Sequence, residues 1–448
     1  KDIPYGIYTV HQVSGWEGSE LMPDFDVFIS QNGATYRYLI NNAPFNSFIK
    51  IVKQDAETGK TIPYAGAGFK IYDPDGNPVT MTFTYPTSTN IDVFYTDDEG
   101  SLITPEKLPY GRGYSIVEVQ APYGYVLDET PIYFDVTQEN SIEESGVTII
   151  KVNKKNFAQK GTIAVEKTGE VFFGVSVSGG IDESGNELPI IYQPQYEKRG
   201  LPGAVYEVVA AEDIITPDGT VRNHKGDVVD TIITDENGIA MSCELYLGEY
   251  EVREVTAPNG MVLNPEFRFV ELVYAGQNVA VTETATSFEN ERQKVEISLA
   301  KSIEQNERFD IGTNGEMKNI TFGLFSAEEI VSTSGTFIPA DGLIEIVSLN
   351  EDGTATIKTD LPYGRYYVQE LATDSHYKLS DAKYPIIFEY VGQDTAVVKI
   401  AVNDGKAIKN DLIYGSVSGK KVDEDGNALG GAMIGLFRTD DGEFTKEN

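Results

Sequence analysis

The sequence predicts an all-β chain made of repeats of one unit, and three observations carry that prediction. Strand-like runs rich in Val, Ile, Thr, Tyr and Phe are broken by closely spaced turns, many built on the 43 glycines. Four times an asparagine is followed eleven positions later by a lysine: Asn42 and Lys53, Asn156 and Lys167, Asn290 and Lys301, Asn410 and Lys421. Between successive pairs stands a glutamate that closes a Tyr-x-x-x-Glu run, namely Glu118, Glu254 and Glu370.

This spacing divides the 448 residues into five parts. Residues 1–47 read as the C-terminal part of a cut unit, because Ile3-Pro4-Tyr5-Gly6 matches Leu361-Pro362-Tyr363-Gly364. Three complete units follow at 48–160, 161–294 and 295–414, the second with an insertion over Val171–Arg199. Residues 415–448 open a further cut unit, with Gly431–Phe437 as its expected second strand. The linkers are only a few residues long, so the units are expected to follow one another end to end.

Within each complete unit the elements recur in order. The first opens with Phe48–Lys53, continues through a second strand at Ala65–Tyr72, and reaches Tyr114–Glu118 after Leu108-Pro109-Tyr110-Gly111. It closes with Val147–Val152 and Asn156 beyond it. Side chains alternate faces along a strand, so residues of one parity share a face. Ile49 and Ile51 therefore accompany Lys53, Ile163 and Val165 accompany Lys167, and Ile297 and Leu299 accompany Lys301. By the same rule Glu118, Glu254 and Glu370 lie with Tyr114 and Ile116, Tyr250 and Val252, and Tyr366 and Val368. Asn156, Asn290 and Asn410 share parity with Ile150 and Val152, Phe288, and Ile408. A lysine, a glutamate and an asparagine thus point into each core.

Buried charges are costly unless paired, and the usual response is a shifted pKa. A desolvated lysine tends to the neutral, nucleophilic amine, and a desolvated glutamate to the acid that can polarise an amide and shuttle protons. That chemistry joins lysine to asparagine through an isopeptide bond and releases ammonia, once per unit. A buried salt bridge hydrogen-bonded to asparagine is the competing reading. Three complete triplets with Glu-to-Asn separations of 38, 36 and 40 favour the covalent one.

Lys53 with its Asp-containing turn, and Glu118 running into Ala121-Pro122-Tyr123-Gly124-Tyr125, resemble the B-type repeat of the Cna collagen adhesin and SpaA-type pilin domains of Gram-positive bacteria. The resemblance covers essentially the whole chain and implies tandem transthyretin-like, reverse-immunoglobulin β-sandwiches with a prealbumin-like fold. It makes Lys53, Lys167 and Lys301 the amines, Asn156, Asn290 and Asn410 the acceptors, and Glu118, Glu254 and Glu370 the catalytic acids. Asn42 and Lys421 would be partners in the cut units. The pattern departs at Met261, at Ala372–His376 and at Gln12, which stands where the first part should have its glutamate.

The formal net charge is −35, with 70 acidic against 35 basic residues, which argues against nucleic-acid or anionic-membrane partners. Cys243 is the single cysteine, so no intrachain disulfide is possible. No apolar run approaches the ~18–20 residues that cross a bilayer. No signal peptide is recognisable at Lys1, and both ends look cut, so any C-terminal anchor is missing from these residues. No cofactor and no metal are expected. Asp73–Asn77 and Asp423–Asn427 read as turns and not as calcium loops. His11, His224 and His376 form no shared site, and Trp16 is assigned to core or rim packing.

These readings converge on a non-enzymatic stalk segment of an extracellular, cell-wall-attached Gram-positive adhesin, locked by isopeptide bonds. The adhesive ligand, on a host or a neighbouring cell, belongs to the parent protein. The alternatives are a unit that itself binds such a ligand, with the 171–199 insertion as the feature to test, and a pilin-like subunit. Parity disfavours Asn153, and the eleven-residue spacing to Lys421 disfavours Asn403, so peptide mapping is expected to join Lys53 to Asn156 and Lys301 to Asn410. Cross-links to Asn153 or Asn403 would show the register to be wrong.

Overall fold

Alternation in the sequence becomes alternation of burial along each strand. In Val147–Asn156, residues Val152, Lys154 and Asn156 are buried while Lys151, Asn153 and Lys155 are exposed. The structure is a computed structural model that describes residues 2–84, 87–181, 185, 187–437 and 439. These fall into two compact units, one of residues 1–173, 196–293 and 390–396, the other of 174–195, 294–389 and 397–448.

The first unit holds two β-sandwich cores. In the first, Gly111–Gln120 lies between Ile132–Val136 and Gly68–Tyr72, with Phe94–Tyr95 at the edge. The facing sheet is Ile142–Glu144, Val147–Asn156, Asn46–Asp55 and Ser101–Ile103. Ile49, Ile51, Phe69, Ile71, Ile116 and Ile150 are among the side chains that meet between the sheets. The second core repeats the plan, with Ile163, Val165, Tyr206, Val208, Tyr250 and Val252 in the same roles.

The second unit contains the third sandwich. Thr321–Ser326 pairs with Leu343–Ser348 and Gly364–Ala372, and Lys294–Ile303 forms the other sheet with Thr354–Ile357, Val397–Ala401 and Ile408–Asn410. Ile297, Phe322, Leu324, Tyr366, Val368 and Phe388 are buried between them. Residues 174–195, most of the sequence-predicted insertion, also belong to this unit. There Ile191 pairs in parallel with Leu343, and the Val175 N–H donates to Thr336 Oγ1 at 3.0 Å. The edge strand Leu343–Ser348 is thereby partly covered, which is how sheets keep such edges from pairing with other chains.

In all three sandwiches the strand with the lysine pairs in parallel with the strand that carries the asparagine. Lys53 faces Lys154, Lys167 faces Phe288, and Lys301 faces Ile408, with each asparagine two residues further on. The first asparagine strand is longer than expected: Asn156 is its last residue and lies within it. Parallel neighbours need a long crossover, and here the crossover is the rest of the sandwich.

Polar contacts join the two cores inside the first unit. The Gln159 amide donates to Gly276 O at 2.9 Å and accepts from Ala275 N, and Gln277 Oε1 accepts from Ala121 N at 2.9 Å. Arg222 reaches Asp55 at 3.2 Å, and Thr58 donates to Asp218 at 2.8 Å. The glutamine pattern recurs within the same unit. Gln293 bonds Gly392 O and Thr395 O, and Gln393 accepts from Ala257 N.

Three expectations change. Trp16 is 78% exposed, because Gly6–Val10 and Phe25–Ile29 make a two-stranded ribbon that, among the described residues, has no facing sheet to receive it. Residues Gly431–Phe437 form no strand, since no neighbouring strand pairs with them among the described residues, and Met433, Ile434 and Leu436 are exposed. The Ala65–Tyr72 strand is shortened to Gly68–Tyr72. Asp73 and Asp423 spend their carboxylates on the backbone N–H groups of their own turns, as turn residues do.

One glycine in each hairpin leading back to the lysine strand is sterically required. Gly238 has φ +80°, and a Cβ there would stand 2.3 Å from Lys167 O and 2.6 Å from Leu201 N. Gly219 has a similar φ of +77° but open space around it. Gly238→Ala is therefore expected to cost about 1–3 kcal/mol more than Gly219→Ala, from overpacking beyond the shared backbone strain. Chemical denaturation of the two variants in a Glu254→Ala background checks this.

Candidate functional site

Each core contains one set of three polar residues, and each is placed by a recurring local device. The lysine N–H donates to the carbonyl of the hairpin glycine: Lys53 to Gly100 at 2.9 Å, Lys167 to Gly238 at 2.7 Å, and Lys301 to Gly353 at 2.8 Å. The glutamate faces an aromatic residue of the adjacent strand, with Glu118 opposite Phe69, Glu254 opposite Tyr206 and Glu370 opposite Phe322. Immediately after each glutamate the register shifts by a bulge. Bulges bend a strand and re-aim its side chains, and they concentrate beside functional sites.

The lysine, glutamate and asparagine of each set converge on one another. Exposure is 0%, 0% and 4% for the lysines, 0%, 6% and 3% for the glutamates, and 1%, 2% and 2% for the asparagines, so water does not separate them. Each lysine Nζ lies against the asparagine Oδ1: Lys53 on Asn156, Lys167 on Asn290 and Lys301 on Asn410. The carboxylate touches the same amine, at 3.2 Å for Glu118, 2.9 Å for Glu254 and 3.0 Å for Glu370. It also accepts from the asparagine Nδ2, at 2.7, 3.0 and 2.8 Å respectively.

The other carboxylate contact is equally regular. Ten residues after each glutamate, a backbone N–H donates to its Oε2: Asp128 at 3.2 Å, Asn264 at 2.8 Å and Ser380 at 3.0 Å. The carboxyl is thus fixed between the amine and the nitrogen that would have to leave. Aromatic faces close the pocket, with Lys167 Nζ 5.7 Å from the Tyr206 ring centroid and Lys301 Nζ 5.6 Å from that of Phe322.

A model of the SpaA prealbumin-like fold domain matches the chain three times, over residues 47–149, 190–286 and 305–406. The chain belongs to the SpaA prealbumin-like family. Each matched segment contains the glutamate of one triad; all three end short of the asparagine, and the second and third also begin after the lysine. Among solved structures, the Bacillus anthracis TIE protein is 21% identical, with 88% of this chain and 55% of that chain covered and a TM-score of 0.45. BcpA, the major pilin subunit of Bacillus cereus, is 14% identical, with 82% and 100% covered and a TM-score of 0.28. The streptococcal ancillary pilin is 16% identical, with 82% and 99% covered and a TM-score of 0.22. The chain therefore spans about half the length of the TIE protein it matches. No curated protein matches it.

At 1–47 and 415–448 this SpaA-family chain assembles no lysine–glutamate–asparagine triad among the described residues. Asn42 donates to Gln12 Oε1 at 3.2 Å and to Glu20 O at 2.8 Å, so Gln12 does occupy the glutamate's place. Lys421 is exposed, and its Nζ donates to the Val422 carbonyl at 3.4 Å.

Sequence reasoning missed several neighbours. Asp55 is fully buried and accepts from Tyr125 Oη at 3.0 Å, and Thr373 Oγ1 accepts from Asn410 Nδ2 at 2.9 Å where the other units lack a hydroxyl. Lys154 is also buried, and its parity with Asn156 was the available signal.

Burial pushes all three lysines below the ordinary lysine range. For Lys53 the value falls to about 8, with Glu118 opposing the effect of burial; Lys167 and Lys301 shift the same way for the same reason, opposed by Glu254 and Glu370. With Lys53 as a free amine, the unfolded state holds a proton that the folded state has lost, between about pH 8 and pH 10.5. Stability then rises with pH across that window. An Asn156→Ala chain is expected to gain about 3 kcal/mol there, and a Lys53→Met chain to lack that gain, by denaturant titration at each pH.

Proposed function

We propose that this SpaA-family chain is a structural stalk segment of a cell-wall-attached surface adhesin, locked by autocatalytic lysine–asparagine isopeptide bonds. The bonds are Lys53–Asn156, Lys167–Asn290 and Lys301–Asn410, with Glu118, Glu254 and Glu370 as the proton-transfer groups. The observation that carries this reading is the threefold recurrence of one buried geometry, in which a single carboxyl touches both the amine and the amide nitrogen.

The step balances within the three residues. The neutral amine attacks the asparagine Cγ and forms the new C–N bond. The amine's surplus proton passes through the glutamate carboxyl to Nδ2, the Cγ–Nδ2 bond breaks, and ammonia leaves. The glutamate ends as it began, and the reaction happens once per unit, so the chain is not a turnover enzyme. Proximity without water and a carboxyl already in place supply the orientation that such a step needs.

Energetics support the covalent reading over a permanent ion pair. Replacing a buried ion pair with apolar residues is often neutral or stabilising, by about 1–4 kcal/mol, so three such pairs are a poor way to strengthen three cores. An isopeptide bond leaves no charge on the lysine and removes that cost. It also suits a load-bearing role. The lysine stands on the first strand and the asparagine on the last, so a pull on a unit's ends passes through the amide and bypasses hydrogen bonds worth only about 0.5–1.5 kcal/mol each.

The units we assign are the three at 48–160, 161–294 and 295–414, flanked by partial copies of the pattern at 1–47 and 415–448. No helix among the described residues is long and apolar enough to cross a membrane.

Intact-protein mass spectrometry tests the reading. The purified chain should be lighter than its sequence mass by three ammonia molecules. Glu118→Ala, Glu254→Ala and Glu370→Ala should each restore one, because each triad sits in its own core. A chain at its full sequence mass would overturn the proposal.

A further inference from the structure

The three triads differ at one position that faces the reacting lysine directly. In the parallel strand pair, the register partner of Lys167 is Phe288 and that of Lys301 is Ile408, but the partner of Lys53 is Lys154. Register partners in a parallel pair point to the same face, and both lysines of the first unit do point into its core, with exposures of 0% and 2%. Like charges directly opposite one another across a sheet repel, more so away from water.

Lys154 has its own counter-ion. Its Nζ donates to Asp128 Oδ2 at 2.8 Å and to Thr130 O at 2.9 Å. Asp128 is the residue whose N–H bonds Glu118, and its counterparts in the other triads are the uncharged Asn264 and Ser380. A buried lysine and a half-exposed aspartate at the rim of this core thus occur together, at places where the other two units carry no charge. A second cross-link between them is not the explanation. Burial acts to raise the Asp128 pKa, but the bonds from Lys154 and Thr130 outweigh it and hold the value at about 2, so the group stays an unreactive carboxylate.

We propose that Lys154 is a positioning residue for the first bond: its ammonium, held by Asp128, disfavours the ammonium form of Lys53 across the strand pair and enlarges the share of nucleophilic amine. This rests on the isopeptide reading of the triads. The charged groups that act on Lys53 are Glu118 on the facing sheet, Asp128 on the loop that follows it and Lys154 on the parallel strand, while Asp55, two residues along its own strand, is engaged by Arg222 and Tyr125. The carboxylates favour the ammonium form of Lys53, while burial and Lys154 oppose it. The other lysines have burial alone on that side. The first bond should therefore form at lower pH than the other two.

The test follows bond formation in the full chain made by cell-free translation, with each cross-linked peptide quantified by mass spectrometry over time from neutral to alkaline pH. Lys154→Met gives the site the apolar character that its counterparts have. It should move the pH–rate profile of the Lys53–Asn156 bond upward by roughly one unit, which is about a tenfold slower reaction at neutral pH. The Lys167–Asn290 and Lys301–Asn410 bonds in the same molecules should keep their rates, and Lys154→Arg should keep the original profile. A folded Lys154→Met chain with an unchanged profile would overturn the proposal while leaving the bonds in place.

If Lys154→Met fails to fold, the reciprocal transfer decides. Phe288→Lys with Asn264→Asp should move the profile of the second bond to lower pH, and an unmoved profile would overturn the proposal. Absence of ammonia loss from all three units of the original chain would remove the isopeptide reading itself, and this inference with it.

Discussion

An ammonium group inside an apolar β-sandwich is the constraint around which each unit of this chain is arranged. Taking such an ion from water costs several kcal/mol even after relaxation, and the cost is met only where its hydrogen-bonding positions are filled. Here Lys53, Lys167 and Lys301 each have a carboxylate within 3.2 Å and an amide oxygen against Nζ. The carboxylate in turn needs its remaining lone pairs satisfied, and a backbone N–H ten residues later does so every time. The shape of the segment after the glutamate strand follows from that requirement.

Placement of the lysine and asparagine depends on pairing the two ends of the unit. Because first and last strands run parallel, side chains two residues out of register, such as Lys53 and Asn156, project from the same face and can touch. An antiparallel pairing would bring the start of the first strand and the end of the last to the same end of the sheet, whereas the parallel pairing puts them at opposite ends. Three small devices then fix the geometry: the glycine carbonyl that holds the lysine N–H, the bulge after the glutamate, and the aromatic ring opposite it. None supplies much energy alone. Together they decide which atoms meet.

Much of this was legible in the sequence because β-strand parity is strict. A one-residue slip moves every side chain to the other face, so Ile49, Ile51 and Lys53 could be assigned to one face from their order alone. Asn156 could be preferred to Asn153 by the same rule, and the structure buries the first and exposes the second. Features that depend on a partner strand were not legible. The bulges, the register that sets Lys154 against Lys53, and the aromatic residues opposite the glutamates are properties of pairs of distant segments. Trp16 and Gly431–Phe437 were misplaced for a related reason, since each was read as belonging to a unit whose other strands are absent from its surroundings.

What varies among the units indicates where the constraint ends. From glutamate to asparagine the separation stays at 38, 36 and 40 residues, because both side chains must reach one lysine from strands of opposite sheets. From lysine to glutamate the chain is free to lengthen, and the second unit uses that freedom for the long strands Lys160–Ile181 and Glu187–Gly200. Loop-closure entropy grows only slowly with length, about 0.6 kcal/mol for each doubling, so such an insertion costs little as long as the strands on either side keep their register. The triad therefore fixes one half of the unit and leaves the other half open to elaboration. New surface features in this chain are accordingly found between the lysine strand and the glutamate strand, and the second half of each unit keeps its length.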